Sequence, residues 1–425
     1  MVMLQPGINL FGQTLNGETF IGDGTGGNLS KITAQNAIFD ETILVNANLR
    51  EADLFNTSAI GTDLSGADLT LIKAQQLNLT DSTLINATLD SGNFSSEQSE
   101  RTLFVRTNLA GASAVGADFK STDFTNALLT NVDLTSANLE GVIFNSVNAT
   151  GANFQLTNFT DATISGTIFD LANLSGVVLT DSNPGVAMEV SNTSFRGANL
   201  TNFSAEDVNL SGANFTSFVD SNTGVVTETQ LTGARLADTN LSGGNFTDVN
   251  AEEIFLEGAN LTNTIFTGAD LSRANLNRAI LTGADLTGGV ELDGAFLEGV
   301  DLSGVDLTGA DLSTANLKGA NLTGANLTGA DLSEAILVNA TVEDALLNGA
   351  RLNNANLNGA NFSDGEDADT VGADLTGINF VNGIATNANF MDALLVNADL
   401  TKADFTGAIL TGADLTGAIT VDTIF

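Results

Sequence analysis

Residues 301–332 read DLSGVDLTGADLSTANLKGANLTGANLTGADL, one quintet repeated with little change. Each unit has a small residue, then Asp or Asn, then Leu, then usually Ser or Thr, then often Gly. The Leu position, here Leu302, Leu307, Leu312 and Leu317, is the centre of the unit. A period of five suits neither ordinary element. On an α-helix five steps of about 100° turn the chain by roughly 140°, so the Leu side chains scatter around the axis. On a flat strand an odd period sends successive centres to opposite faces. A chain that bends once per quintet gathers them. Every centre then points to one axis, and the small residue two positions earlier points inward with it. The Asp or Asn between them, and the hydroxyl residue that follows, face outward. Gly suits the corner, where positive φ is needed.

Working outward, Leu, Ile or Phe keeps this register from Leu29 to Leu179, then over 195–215, 231–286, 292–362 and 375–425. That is roughly 74 quintets covering about 370 residues, far beyond the few repeats a stable array needs. Such coils bury little alone and gain stability by stacking on neighbours. Phe104, Phe124 and Phe144 are centres spaced 20 apart, which fits an aromatic column in a coil of four quintets. Ala34, Ala74 and Ala114, with Leu54 and Phe94 between them, read as small and large centres alternating along one side.

The pattern resembles the pentapeptide-repeat family, with its motif A-(D/N)-L-x-x, over residues 29–425. The resemblance implies an all-β fold, a right-handed quadrilateral parallel β-helix, with 20 residues per coil. It predicts 18 to 19 coils, roughly, and a rod about 90 Å long at about 4.8 Å per coil. Residues 1–28 are expected to form an irregular N-terminal cap, and 29–425 a single β-helix interrupted near 180–194, 216–230, 287–291 and 363–374. The family is abundant in cyanobacteria, which implies a bacterial source.

Composition removes whole classes of function. The chain of 425 residues has 13 Lys+Arg against 51 Asp+Glu, a net charge of −38, and neither His nor Cys. Imidazole bases, thiolate nucleophiles and the usual zinc ligands are therefore absent. No apolar run approaches the ~18–20 residues of a membrane helix. The start, Met1-Val2-Met3-Leu4-Gln5-Pro6, lacks the features of a signal peptide, so a cytoplasmic location is expected, with no membrane span. Outward Asp residues recur at one position of the repeat, as a surface does, and no phosphate-binding loop stands out. No enzyme activity, cofactor or small-molecule substrate is expected. The few basic residues are scattered, which argues against direct nucleic-acid binding.

The interruptions and ends supply the remaining candidates. Asp181–Val186 and Asp220–Val225 are similar segments, and with Val190 and Val226 as centres each reads as two quintets plus a one-residue bulge. Phe362 to Leu375 reads as two quintets plus three. Its carboxylates Asp364, Glu366, Asp367 and Asp369 are weak metal candidates suited to Ca²⁺, without the spacing of an EF-hand. Phe425 is still a centre, so this end of the last coil is expected to be covered by a second copy or a partner. Two groups of apolar residues at outward positions form a candidate interaction patch. Phe296 and Ile336 are 40 apart, and Val381, Met391, Leu394 and Val396 cluster in sequence.

Three functions follow. The first is a rigid acidic scaffold that binds a protein or assembles with itself. The second is a DNA mimic that binds DNA gyrase or another topoisomerase, because −38 over about 90 Å is one charge per roughly 2.4 Å against about 1.7 Å in duplex DNA. The quinolone-resistance proteins of the resembled family act in this way. The third is a calcium-binding extracellular rod.

Overall fold

The computed structural model describes residues 12–15, 28–94, 99–182, 188–364 and 372–425. Each quintet is a short extended piece followed by a four-residue turn. In the unit at Leu302 the N–H of Val305 donates to the Leu302 carbonyl at 3.1 Å. The third turn residue has a left-handed backbone, with φ of 65° at Gly304 and 58° at Asn339. That conformation favours Gly and, next, Asn or Asp, which fill most of these corners.

Four such corners close one coil, and the next coil pairs with it in parallel. Asp301 bridges Asn321, Asp306 bridges Asn326, Asp311 bridges Asp331 and Asn316 bridges Ile336. The expected step of 20 residues is therefore the ladder spacing. Leu302 N–H donates to Asn321 O at 2.7 Å, and Asn321 N–H returns to Val300 O at 2.9 Å. Few contacts extend into named strands: β1 (Ile143–Asn145) pairs in parallel with β2 (Thr163–Ser165).

The centres form the core. Leu302, Leu307, Leu312 and Leu317 are buried, as are the inward Ala310 and Ala315. Phe104 and Phe124 stack at 5.0 Å and 12°, whereas Phe144 meets Phe124 edge-on at 5.4 Å and 86°. The aromatic column exists, with a change of geometry at its third ring. Where Thr replaces the inward Ala its hydroxyl is buried and paired. Thr102 Oγ1 donates to Leu79 O at 2.6 Å, and Thr107 Oγ1 to Leu84 O at 2.8 Å.

The chain forms two compact units, Met1–Asn214 with Phe218–Thr229, and Phe215–Ser217 with Gln230–Phe425. Of the expected N-terminal cap only 12–15 and Asn28 are described. Thr14 bridges Ile38, adding a rung to the first unit.

The interruptions correct the sequence reading. Ile168 pairs with Ser194, 26 residues on instead of 20, so Leu179 to Val190 is one quintet plus six residues. Val190 is buried as a centre, and Met188 takes the inward position before it. The second segment is no one-residue bulge. It is an antiparallel hairpin of β3 (Phe218–Val219) and β4 (Val226–Thr227), with Val226 57% exposed instead of central. Its turn is closed by Asp220, whose Oδ1 accepts the N–H groups of Asn222 and Thr223. The third segment is one quintet plus eight, because Asn361 pairs with Asn389 and Ala373 N–H closes the turn on Phe362 O. The single extra residue near Gly288–Gly289 is present, since Asp270 pairs with Glu291. All four insertions sit at a corner, between a centre and the next inward residue.

Candidate interaction faces

The outward Asp and Asn share one structural task. Their Oδ1 accepts the N–H two residues on: Asp306 from Thr308 at 3.0 Å, Asn326 from Thr328 at 3.1 Å. Either side chain closes this local loop. The fold demands the acceptor, and the carboxylate is an additional choice of charge.

Because coils stack in register, outward residues form columns. In the second unit one column runs Gln230, Asn250, Asp270, Glu291, Asp311, Asp331, Arg351, Asn379, Asp399, Ile419. Burial pushes the Glu291 carboxyl above its ordinary range, and the nearby charges of Asp270, Asp293 and Asp311 add to the shift. Burial works the same way on Asp331, but hydrogen bonds from Arg351 and Ser333 outweigh it and hold that group low.

The next column runs Arg235, Phe255, Asn275, Phe296, Asn316, Ile336, Asn356, Ile384, Asp404, Ile424. Large apolar and short polar side chains alternate rung by rung. Phe296 is 47% exposed and Ile336 40%, and Phe255, Ile384 and Ile424 are exposed too. The Arg235 guanidinium lies over the Phe255 ring at 5.2 Å. Between Phe255 and Phe296, over Asn275, is an open groove of about 510 Å³ edged by Glu253, Arg273 and Asn277. Charges along its sides are paired: Arg273 with Glu252 and Glu253, Arg278 with Glu257, and Lys318 with Glu298.

The structure thus brings Phe296 and Ile336 together in one column, two rungs apart. It does not gather the other four candidates. Val381 follows Asn379 in the Gln230 column. Met391 follows Asn389, which belongs to the column of Asn321 and Thr341. Leu394 lies in the column of Asp306 and Leu346, with Val396 just beyond it. All four are half-buried and spread over different sides of one coil. Phe255, Ile384 and Ile424 are the members that sequence reading missed.

Of the metal candidates Asp364 is buried, while Glu366, Asp367 and Asp369 lie outside the described residues. Among the described residues no group of acidic side chains is arranged to hold a metal ion. No helix among them is long and apolar enough to cross a membrane. Phe425 is 59% exposed, with one face of its ring stacked on Phe405 at 5.6 Å.

The family model described as pentapeptide repeats matches eight times, at residues 26–70, 102–141, 142–176, 191–217, 256–288, 289–324, 325–364 and 386–419. Among solved structures, HetL from the cyanobacterium Nostoc sp. strain PCC 7120 is a pentapeptide repeat protein involved in heterocyst differentiation regulation. It is 32% identical over 52% of this chain and 90% of its own, with a TM-score of 0.26. Rfr23 from the cyanobacterium Cyanothece 51142 is 29% identical over 32% of this chain and 90% of its own, with a TM-score of 0.14. QnrB1, a plasmid-mediated fluoroquinolone resistance protein, is 21% identical over 56% of this chain and 92% of its own, with a TM-score of 0.24. No curated protein matches the chain.

Proposed function

Because the chain belongs to the pentapeptide-repeat family, whose members are right-handed quadrilateral β-helices, we propose that it is a non-enzymatic acidic scaffold that binds protein through the Arg235 column. Members of the family are in general structural or binding proteins. The row Phe255, Phe296, Ile336, Ile384 and Ile424 carries this reading. Single exposed apolar residues are ordinary on any surface, but a row at fixed spacing forms a continuous apolar stripe of the kind that marks contact sites. The carboxylates support the same reading. They repeat one local geometry, whereas a catalytic pair needs two groups in different environments.

The test is retention of protein from a native lysate on the immobilised full chain. Proteins held by the wild type and lost with Phe255→Asp plus Phe296→Asp support the scaffold. Identical retention by both refutes it.

A second reading, mimicry of DNA toward DNA gyrase, has one observation in its favour. Asp270, Glu291, Asp311 and Asp331 stand on successive rungs of a single column. It requires inhibition of gyrase supercoiling that weakens with Asp270→Asn plus Asp311→Asn. A chain without effect on supercoiling excludes it.

A further inference from the structure

We propose that the occupant of the Arg235 column is a second copy of this chain, seated face to face in a weak two-fold dimer. This inference names the partner of the scaffold surface and rests on that reading. Rungs are about 4.8 Å apart, so apolar side chains on alternate rungs stand ~9.6 Å apart. A phenyl ring inserted midway between Phe255 and Phe296 lies ~4.8 Å from each, within the range at which aromatic rings pack. The stripe carries such a ring, or an Ile, on every second rung, and a short polar residue between. It is therefore its own complement when shifted by one rung. A two-fold axis across the stripe supplies that shift, and both copies use the same patch, as an isologous contact requires.

Charge selects the same face. Two copies of net charge −38 repel wherever bare carboxylates meet. From Arg235 to Ile384 this column holds no carboxylate, and Glu252, Glu253, Glu257 and Glu298 beside it are paired with cations. The adjoining column, with Asp270, Glu291, Asp311 and Asp331, offers no such approach. Size sets the strength. Ten rungs make a stripe of ~43 Å, and at roughly 10 Å wide it buries on the order of 400 Å² per copy. That total lies at the weak, transient end of protein interfaces.

Sedimentation of the full chain across a wide concentration range tests the proposal. A monomer–dimer equilibrium is expected that tightens as NaCl is raised, because salt screens the repulsion between copies and leaves the apolar contact. Phe296→Asp and Ile336→Asp should each weaken it at least about tenfold. Ile280→Asp, an equally exposed residue on a different column, should leave it unchanged. A chain that stays monomeric at every concentration and salt overturns the proposal, as does equal weakening by Ile280→Asp. A monomer whose retention of another protein is lost with Phe296→Asp also overturns it, while leaving the scaffold reading in place.

Discussion

Asn321 stands one coil on from Asp301 and donates its side-chain amide to the Asp301 carboxylate at 3.0 Å. Asn138 does the same for Asp118 at 2.9 Å. Amide over carboxylate satisfies both groups, whereas carboxylate over carboxylate leaves a repulsion. Asn321→Asp keeps the acceptor for the N–H of Thr323 but loses the donated bond. The expected cost is ~0.5–1.5 kcal/mol, larger at low salt. Denaturant titrations at two ionic strengths check it, and a cost independent of salt would contradict the account.

Ser99 occupies a centre with its side chain fully buried, and its Oγ has no hydrogen-bond partner. A buried hydroxyl without a partner opposes folding. Ser99→Ala removes that group with little loss of volume, and should stabilise the chain by about 1 kcal/mol or more. Protection of nearby amides against hydrogen exchange should rise. Lower protection would mean that the hydroxyl contributes to stability.

Phe124 packs against Phe104, Phe119 and Phe144, at ring separations of 5.0, 5.2 and 5.4 Å. Phe124→Ala opens a cavity between coils and should cost ~3–5 kcal/mol. Coils in a repeat array can open in part, so a single melting temperature is a poor gauge. Local hydrogen exchange in Phe104–Phe144 is the better measurement. Exchange that accelerates equally in distant coils of the second unit would contradict local packing as the cause.

Glu291 and Asp331 share a column and respond oppositely to pH. The Glu291 carboxyl is raised in the fold by burial and by neighbouring acids. Its contribution is favourable below the ordinary carboxylate range and is lost as pH rises through its folded value. Glu291→Gln should therefore stabilise at neutral pH, with the gain vanishing below about pH 4. Asp331 is held low against the effect of burial, by Arg351 and Ser333. Its contribution is present above the ordinary range and is lost as pH falls through the folded value. Asp331→Asn should cost stability at neutral pH and little in strong acid. Denaturant midpoints measured against pH should show the two variants diverging with opposite sign.

The repeat made most of the fold legible. A period of five, with Leu302, Leu307, Leu312 and Leu317 apolar, leaves only a bend per quintet as a way to hide those side chains. The insertions were harder, because a gap length does not say how many of its residues ride in the ladder. Leu179 to Val190 fits ten plus one or five plus six. Met188, at the inward position, was the signal for the second. Phe218-Val219 and Val226-Thr227 flanking Asn222-Thr223-Gly224 have the pattern of a hairpin, but the reading kept Val226 in the repeat. The apolar column was half visible, as Phe296 and Ile336. One extra residue before Phe296 and eight before Ile384 shift the even spacing, so its other members align only once the coils are stacked. The four residues near 381–396 are close in sequence yet turn to different sides, because each quintet faces a new direction.

The corners have one more implication. Six, eight or more residues leave the ladder at these points, and the four-sided cross-section resumes at the next inward side chain. Loop length and wall registry are thus decoupled. A foreign peptide spliced into the turn at Ser221–Gly224 would be displayed on a hairpin outside the wall, with the apolar interior beneath it left as it stands.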